Sequence, residues 1–297
     1  MDSRSEVKDF LASRRARVSP GQAGLPAYGG NRRVKGLRRE EVALLAGVSV
    51  DYYVRLERGH LRGVSEQVLE ALARALQLDE AERAHLFDLA RAANAMPPNR
   101  RRTASQRARP SVQRILDLVA APAWVRNARH DLVAANRLGY ALYSELLTDP
   151  VRPPNNARFV FLNPRSKEFF VDWERAADDI VAMLRAEAGR NPYDKALTDL
   201  IGELSTRSET FRARWAAHDV RFHRTGRKQL HHPVVGHLDL AFEAMELPGE
   251  DLTMLVYTAD AGSRSQEALD LLASWAATLD QEEQQKEASA QPGPAGP

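Results

Sequence analysis

Five histidines, His218, His223, His231, His232 and His237, fall within twenty residues, with Asp219 and Asp239 beside them. Imidazole and carboxylate are both metal ligands, so metal binding is the first chemistry this stretch suggests. On strands, however, side chains alternate between faces, which spreads these groups over two sides, and their order matches no HExxH-type signature. The competing reading is architectural: Pro233 in "HHPVVG" fixes a turn, and one or two histidines bond backbone carbonyls. A metal-responsive role stays open as an alternative. Other chemistries find less. The chain has no cysteine, which excludes disulfides, thiolate metal sites, a cysteine nucleophile and thiol redox sensing. No phosphate-cradling glycine pattern, Gly-x-Ser-x-Gly elbow or dinucleotide motif is present. Asp178 and Asp179 are adjacent, and consecutive helical side chains diverge by about 100°, so they would not flank one substrate. The chain reads as a non-enzyme that needs no cofactor.

The elements that must position any functional group divide unevenly by charge. Residues 1–110 carry 21 Lys and Arg against 13 Asp and Glu, whereas residues 111–297 carry 21 against 27. A basic N-terminal third and an acidic remainder are expected when one domain meets a polyanion and the other does not. Helical periodicity predicts five helices in the first part: residues 4–17, the pair on either side of Gly47, one from Ser65, and one that Asp79 and Glu82 open in a capping arrangement. Between the first two, "SPGQAGLPAYGGNRRVKG" is an irregular loop. The proline- and arginine-rich "MPPNRRRTASQRARP" reads as a linker. The expected division is a basic helical domain over 1–95, a basic linker over 96–110, a second domain over 111–280 and a disordered tail over 281–297.

Within "LRREEVALLAGVSVDYYVRLERG", a short helix ends at Gly47, Val48 turns inward, Ser49 caps a second helix, and Tyr53 and Leu56 face the core. A helix-turn-helix needs those features, with the outer face of its second helix left free to enter a major groove. The spacing resembles the XRE-type, repressor-like group, with Glu40 and Glu41 as its acidic pair and Leu56, Glu57 and Gly59 as its Leu-Glu-x-Gly ending. The resemblance implies that Val50, Asp51, Tyr52 and Arg55 meet base edges: Arg55 would grip guanine, Asp51 accept from a cytosine amine, and Val50 touch a thymine methyl. It also implies phosphate contacts from Arg38 and Arg39, flanked by Arg32, Arg33, Lys35, His60 and Arg62. Asp51 has a second reading as an acid favoured at a helix N-terminus, and Tyr52 as the edge of the core. The group's usual Gln is replaced by Arg39, which keeps a phosphate role without the two-sided hydrogen bonding of an amide.

After the linker the pattern becomes mixed. A helix from Ser111 precedes strands "AWVRN" and "DLVAA", then a helix that Asn136 can cap, and helices near 172–188, 194–205 and 208–217. Strands "VRFHR", "VVGHLDLAFEAMEL" and "LTMLVYTA" follow, separated by turns "TGRK" and "PGED", and a helix over 266–279 closes the domain. Five antiparallel strands with helices on one side outline a PAS-like sensory domain. The fold class is therefore multi-domain: an all-α five-helix helix-turn-helix domain, then an α+β PAS-like domain with an antiparallel sheet. Such a sheet can enclose an apolar pocket. The large side chains Trp124, Phe170, Trp173, Met183, Leu184, Leu204, Phe211, Trp215 and Phe242 are candidate walls, with Arg185 or His232 as candidates to meet a carboxylate head group. Each also fits ordinary core.

The run of "LASRRARVSP", "GLRREEVALLAGVSVDYYVRLERG", "EQVLEALARALQLDEAERAHLFDLA", "VDWERAA", "HDVRFHRTGRKQLHHPVVG" and "LVYTAD" resembles the MmyB-like transcription regulators over nearly the whole chain except the tail. That resemblance implies an XRE-type domain joined to a PAS-like domain that binds a small, mostly apolar, fatty-acid-like effector. The expected partners are double-stranded operator DNA, that effector and a second copy of the chain, because one recognition helix reads too few bases to select a genomic site. With no long apolar run, no membrane is expected, and the location implied is cytoplasmic, at the nucleoid when bound to DNA. A carrier or adaptor that does not bind DNA is the alternative from another class.

Overall fold

Regular structure begins where the sequence first keeps a helical period. The computed structural model describes residues 3–26, 34–95, 107–217, 219–220, 224–248 and 251–290. Helices α1 (Ser3–Arg17), α2 (Arg39–Ala46), α3 (Val50–Glu57), α4 (Glu66–Ala75) and α5 (Glu80–Asn94) form the N-terminal part. Their junctions follow local chemistry. Gly47 takes φ 66° after α2, and the Ser49 side chain accepts from the Tyr52 N–H at the start of α3, a left-handed stop followed by an N-cap. Ser65 caps α4, and Asp79 and Glu82 close a reciprocal capping box on α5. The loop that precedes α2 rejoins α1 closely: Leu37 N–H donates to the Arg15 carbonyl at 3.0 Å. A Cβ on Gly36 would lie 2.5 Å from the Ala16 carbonyl oxygen, so glycine lets the two backbones meet.

The remaining elements are α6 (Pro110–Leu118), β1 (Ala123–Asn127), β2 (Leu132–Ala135), α7 (Arg137–Leu142), α8 (Ser144–Leu147), α9 (Asn156–Leu162), α10 (Ser166–Phe169), α11 (Trp173–Arg190), α12 (Lys195–Arg207), α13 (Glu209–Trp215), β3 (Thr225–His232), β4 (Gly236–Leu247), β5 (Leu252–Thr258) and α14 (Arg264–Ala290). The five strands pair antiparallel in the order β2-β1-β5-β4-β3. Strand alternation splits the residues cleanly. Ala123, Val125, Ala134, Leu252 and Met254 pack with Val112 and Leu116 of α6, while Trp124, Leu255, Tyr257 and Phe242 lie on the other face by register. Helix α6 thus covers part of the face expected to be bare.

Two local expectations change. "TGRK" is no turn: it opens β3, whose Thr225 pairs with Glu243 and whose hairpin closes at His232 and Gly236. The polar composition that suggested a turn belongs to an edge strand, where charged residues are favoured. Of "VRFHR", residues 221–223 lie outside the described residues, as do 96–106 of the linker, whose Pro110 opens α6. Helix α14 runs on to Ala290, whereas a disordered tail was expected from 281. "QEEQQKEASA" consists almost wholly of good helix formers.

Chain contacts divide the molecule into two compact units, one from residues 1–102 with 177–222 and the other from 103–176 with 223–297. Helices α12 and α13 and most of α11 therefore belong with α1–α5, not with the sheet that follows the linker. In that first unit Val220 joins the core of Phe10, Leu11, Tyr53, Leu56 and Leu72. The fully buried Arg185 of α11 pairs with Glu6 of α1 and stacks over Trp215. A Cβ on Gly189 would lie 2.5 Å from the His85 ring. Periodicity reveals that α11 has a buried face and says nothing of which element it meets.

Candidate functional site

Burial of Tyr53 and Leu56, both 0% exposed, fixes the rotation of α3 and so decides which side chains point outward. Val50, Asp51 and Arg55 are exposed, and Tyr52 is half-buried against the core. Asp51 lies in the first turn of α3, so its helix-terminus role and its outward position coexist. His60 is exposed, with its Nδ1 3.2 Å from the Arg55 carbonyl. Arg62, Lys35 and Arg38 are exposed too; Arg32 and Arg33 lie outside the described residues.

Arg39 has a defined partner. Its Nε donates to Glu57 Oε2, while Arg15 Nε donates to Glu57 Oε1 at 2.7 Å. The Glu57 side chain is 3% exposed, so two guanidinium groups compensate one buried carboxylate, and they tie α1, α2 and α3 together. The pairing holds the Arg39 pKa above its ordinary value, mainly through the hydrogen bond to Glu57. Arg39 is still 55% exposed. The Leu-Glu-x-Gly ending pointed to Glu57 as a motif position; its partner Arg15, 42 residues away, carried no sequence signal. Arg58, the exposed C-cap of α3, was also missing from the expected set, although its place one helical turn past the base-facing residues could have suggested it.

The candidate pocket residues divide between the two units. Met183, Leu184, Arg185, Leu204, Phe211 and Trp215 belong to the first. There Leu184, Leu204 and Phe211 are fully buried, and Phe211 stacks on Trp215 with centroids 5.5 Å apart. Trp124, Phe170, Trp173, His232 and Phe242 belong to the second. Trp173 is anchored by its indole N–H, 3.1 Å from both the Val160 carbonyl and Ser166 Oγ. Trp124 and Phe242 join a larger aromatic group. Tyr143 lies 5.1 Å from Trp124, 5.6 Å from Phe169 and 5.8 Å from Tyr257, and Tyr257 lies 6.2 Å from Phe242. Phe170 packs edge-on against Phe169. Sequence reasoning omitted Tyr143, Phe169 and Tyr257. For Tyr257 a signal existed, since it keeps the parity of Leu255 in "LTMLVYT".

The histidines do different things. His232 is buried, its Nε2 3.0 Å from the Ala141 carbonyl and its Nδ1 accepting from Val234 N–H at 3.2 Å. The turn at residues 233–235 follows directly. Burial lowers the His232 pKa, consistent with a neutral ring that donates from Nε2. His231 and His237 are exposed, and His218 and His223 lie outside the described residues. Among the described residues no group of three or more His, Asp or Glu side chains could hold a metal ion. No helix of the described residues is long and apolar enough to cross a membrane.

Comparison with known proteins agrees with this division of labour. A family model described as the MmyB-like transcription regulator ligand binding domain matches residues 108–272, and one described as a helix-turn-helix domain matches residues 9–86. No curated protein matches the chain.

Proposed function

We infer, for a chain that belongs to the MmyB-like transcription regulators, that α3 reads an operator and that a small apolar, fatty-acid-like effector changes the affinity of that reading. DNA binding and a ligand domain come with the family; operator reading by named residues and the nature of the ligand are proposed here. The observation that carries the proposal is the rotation of α3: Tyr53 and Leu56 are buried while Val50, Asp51 and Arg55 face outward. Arg55, exposed in the last turn of this two-turn helix, carries the guanidinium proposed for a bidentate grip on guanine O6 and N7. Arg38, Lys35, His60 and Arg62 are exposed and are proposed to hold phosphate. Arg39 is proposed to serve twice, as partner of Glu57 and as a phosphate contact.

Two copies are needed to read enough base pairs, so the acting species is proposed to be a homodimer on paired half-sites. For the effector to act, it must bind two arrangements of the protein with different affinity. Support for coupling comes from α11–α13: the family model assigns these helices to the ligand-binding domain, yet they pack with α1–α5. The test is operator binding over a salt series. Arg55→Ala should cost about 1–3 kcal/mol and relax preference at one base, while Arg38→Ala should weaken all sequences alike and lower the salt slope by about one contact. Wild-type affinity and slope in both variants would refute the docking.

A further inference from the structure

Helix α1 meets different neighbours on two of its faces. Glu6 receives the buried Arg185 of α11, and Arg14 and Arg17 lie 3.6 and 3.5 Å from Asp219. Arg15 Nε instead donates to Glu57 Oε1 at 2.7 Å, at the end of α3. Just beyond α3, a Cβ on Gly59 would lie 2.6 Å from the Arg4 carbonyl oxygen, so the backbone there abuts the start of α1. Successive helical residues turn by about 100°, which puts Glu6, Arg14 and Arg17 in one sector of about 80° and Arg4 and Arg15 in another roughly 140° away. One face of α1 therefore holds residues from the segment 177–222, and the other holds the end of the recognition helix.

We propose that the segment 177–222 positions α3 through α1, with Arg185 and Gly189 as the positioning residues that fix where the segment sits. Arg185 is fully buried, donates to the Trp215 carbonyl and stacks over the Trp215 ring, and so joins α11 and α13 to Glu6 as one body. A buried guanidinium cannot exchange its carboxylate for water without a large loss, whereas the half-exposed pairs of Asp219 and Arg17 contribute little. The hold at Glu6 therefore dominates. One turn further along α11, Gly189 admits the His85 ring of α5: a Cβ would lie 2.5 Å from its Cε1 and 2.7 Å from its Nδ1. That ring packs edge-on against Phe10 of α1 with centroids 5.0 Å apart, so a methyl group on Gly189 presses on α1. Being a single helix, α1 carries Arg4 and Arg15 with any shift of Glu6 and Phe10, and the end of α3 follows. This inference rests on the reading of α3 as the operator reader and adds to it residues that touch no DNA.

The experiment uses the full chain and two duplexes, one carrying the sequence that the wild-type protein selects from a random pool and one with that sequence scrambled. Gly189→Ala should lower the ratio of selected to scrambled affinity by at least about fivefold and leave scrambled binding unchanged, because no exposed cation is altered. Gly202→Ala, in α12 of the same segment, where a Cβ would meet nothing within 4 Å, should keep the wild-type ratio. Arg185→Lys keeps the charge and loses the fork between Glu6 and the Trp215 carbonyl, so it should lower the ratio in the same direction. A wild-type ratio in either Gly189→Ala or Arg185→Lys, with a cooperative urea transition retained, would overturn the proposal, as would an equal loss in Gly202→Ala. Reciprocity supplies a readout that needs no variant: the selected duplex, and not the scrambled one, should slow amide exchange in α11 around Arg185 of the wild-type chain. Exchange there that is the same with both duplexes would also overturn it. A wild-type chain that selects no sequence would overturn the reading of α3 itself, which is a different failure.

Discussion

His85 and His232 illustrate how much a single side chain depends on what closes over it. His85 is almost wholly buried, with Glu6, Asp88 and Arg185 near it and Phe10 edge-on at 5.0 Å. Burial is the largest influence on both rings and lowers both pKa values; Glu6 opposes it for His85, and the Ala141 carbonyl and Glu145 oppose it for His232. A histidine depressed on folding gives stability that is fully present above its unfolded pKa, about 6.5. Below that value the unfolded chain takes up protons that the folded chain refuses, so stability falls with pH. The urea midpoint of the full chain should therefore drop between pH 7.5 and 5.5, as its unfolding free energy falls by up to about 1.4 kcal/mol per pH unit for each histidine that stays neutral. An unchanged midpoint would mean that these rings charge freely. The backbone bond of His232 was legible in "HHPVVG", where one or two histidines were expected to bond carbonyls beside a turn; the burial of His85 was not, since the sequence offered it only as one more residue of a helix. By contrast Gly47, Ser49, Tyr53 and Leu56 were legible at once, because capping and burial over one turn are local properties.

Helices α1–α5, α7 and α11–α13 follow their sequence periods closely, and Asn136 caps α7 as its type and position suggest, accepting from Gly139 N–H at 2.7 Å. Three short helices, α8–α10, were missed because four to seven residues give too little periodicity to read. The partnership of α11 with α1 was missed for a different reason. Its signature is a buried ion pair 179 residues apart in sequence, and one chain without an alignment gives no hint of such a pairing. That pair makes a prediction at the scale of elements. Glu6→Ala leaves the fully buried Arg185 charge without its carboxylate and should cost about 3–5 kcal/mol, measured by urea unfolding. The loss should appear in one transition shared by the N-terminal helices and α11–α13, since they form one compact unit. A cost below about 1 kcal/mol, the range of an exposed pair, would show that the two groups are hydrated in solution.

At the scale of the whole molecule, the sequence conveyed a basic helical reader, an α+β domain and the family that joins them, all of which long motifs can carry. It drew a single boundary where the chain passes between compact units three times, at 102–103, 176–177 and 222–223. A linear reading favours cuts at linkers and cannot register a segment that leaves one unit to complete another. The proposal that α3 reads an operator therefore concerns the full chain, residues 177–222 included. The most direct test is a footprint of the full-length protein on the DNA upstream of its own coding sequence, repeated with Arg55→Ala. Two protected half-sites with centres about 34–36 Å apart or a multiple of that spacing, lost or blurred in the variant, are the predicted result. Uniform, sequence-independent protection, or no protection at all, would contradict the claim that α3 reads an operator.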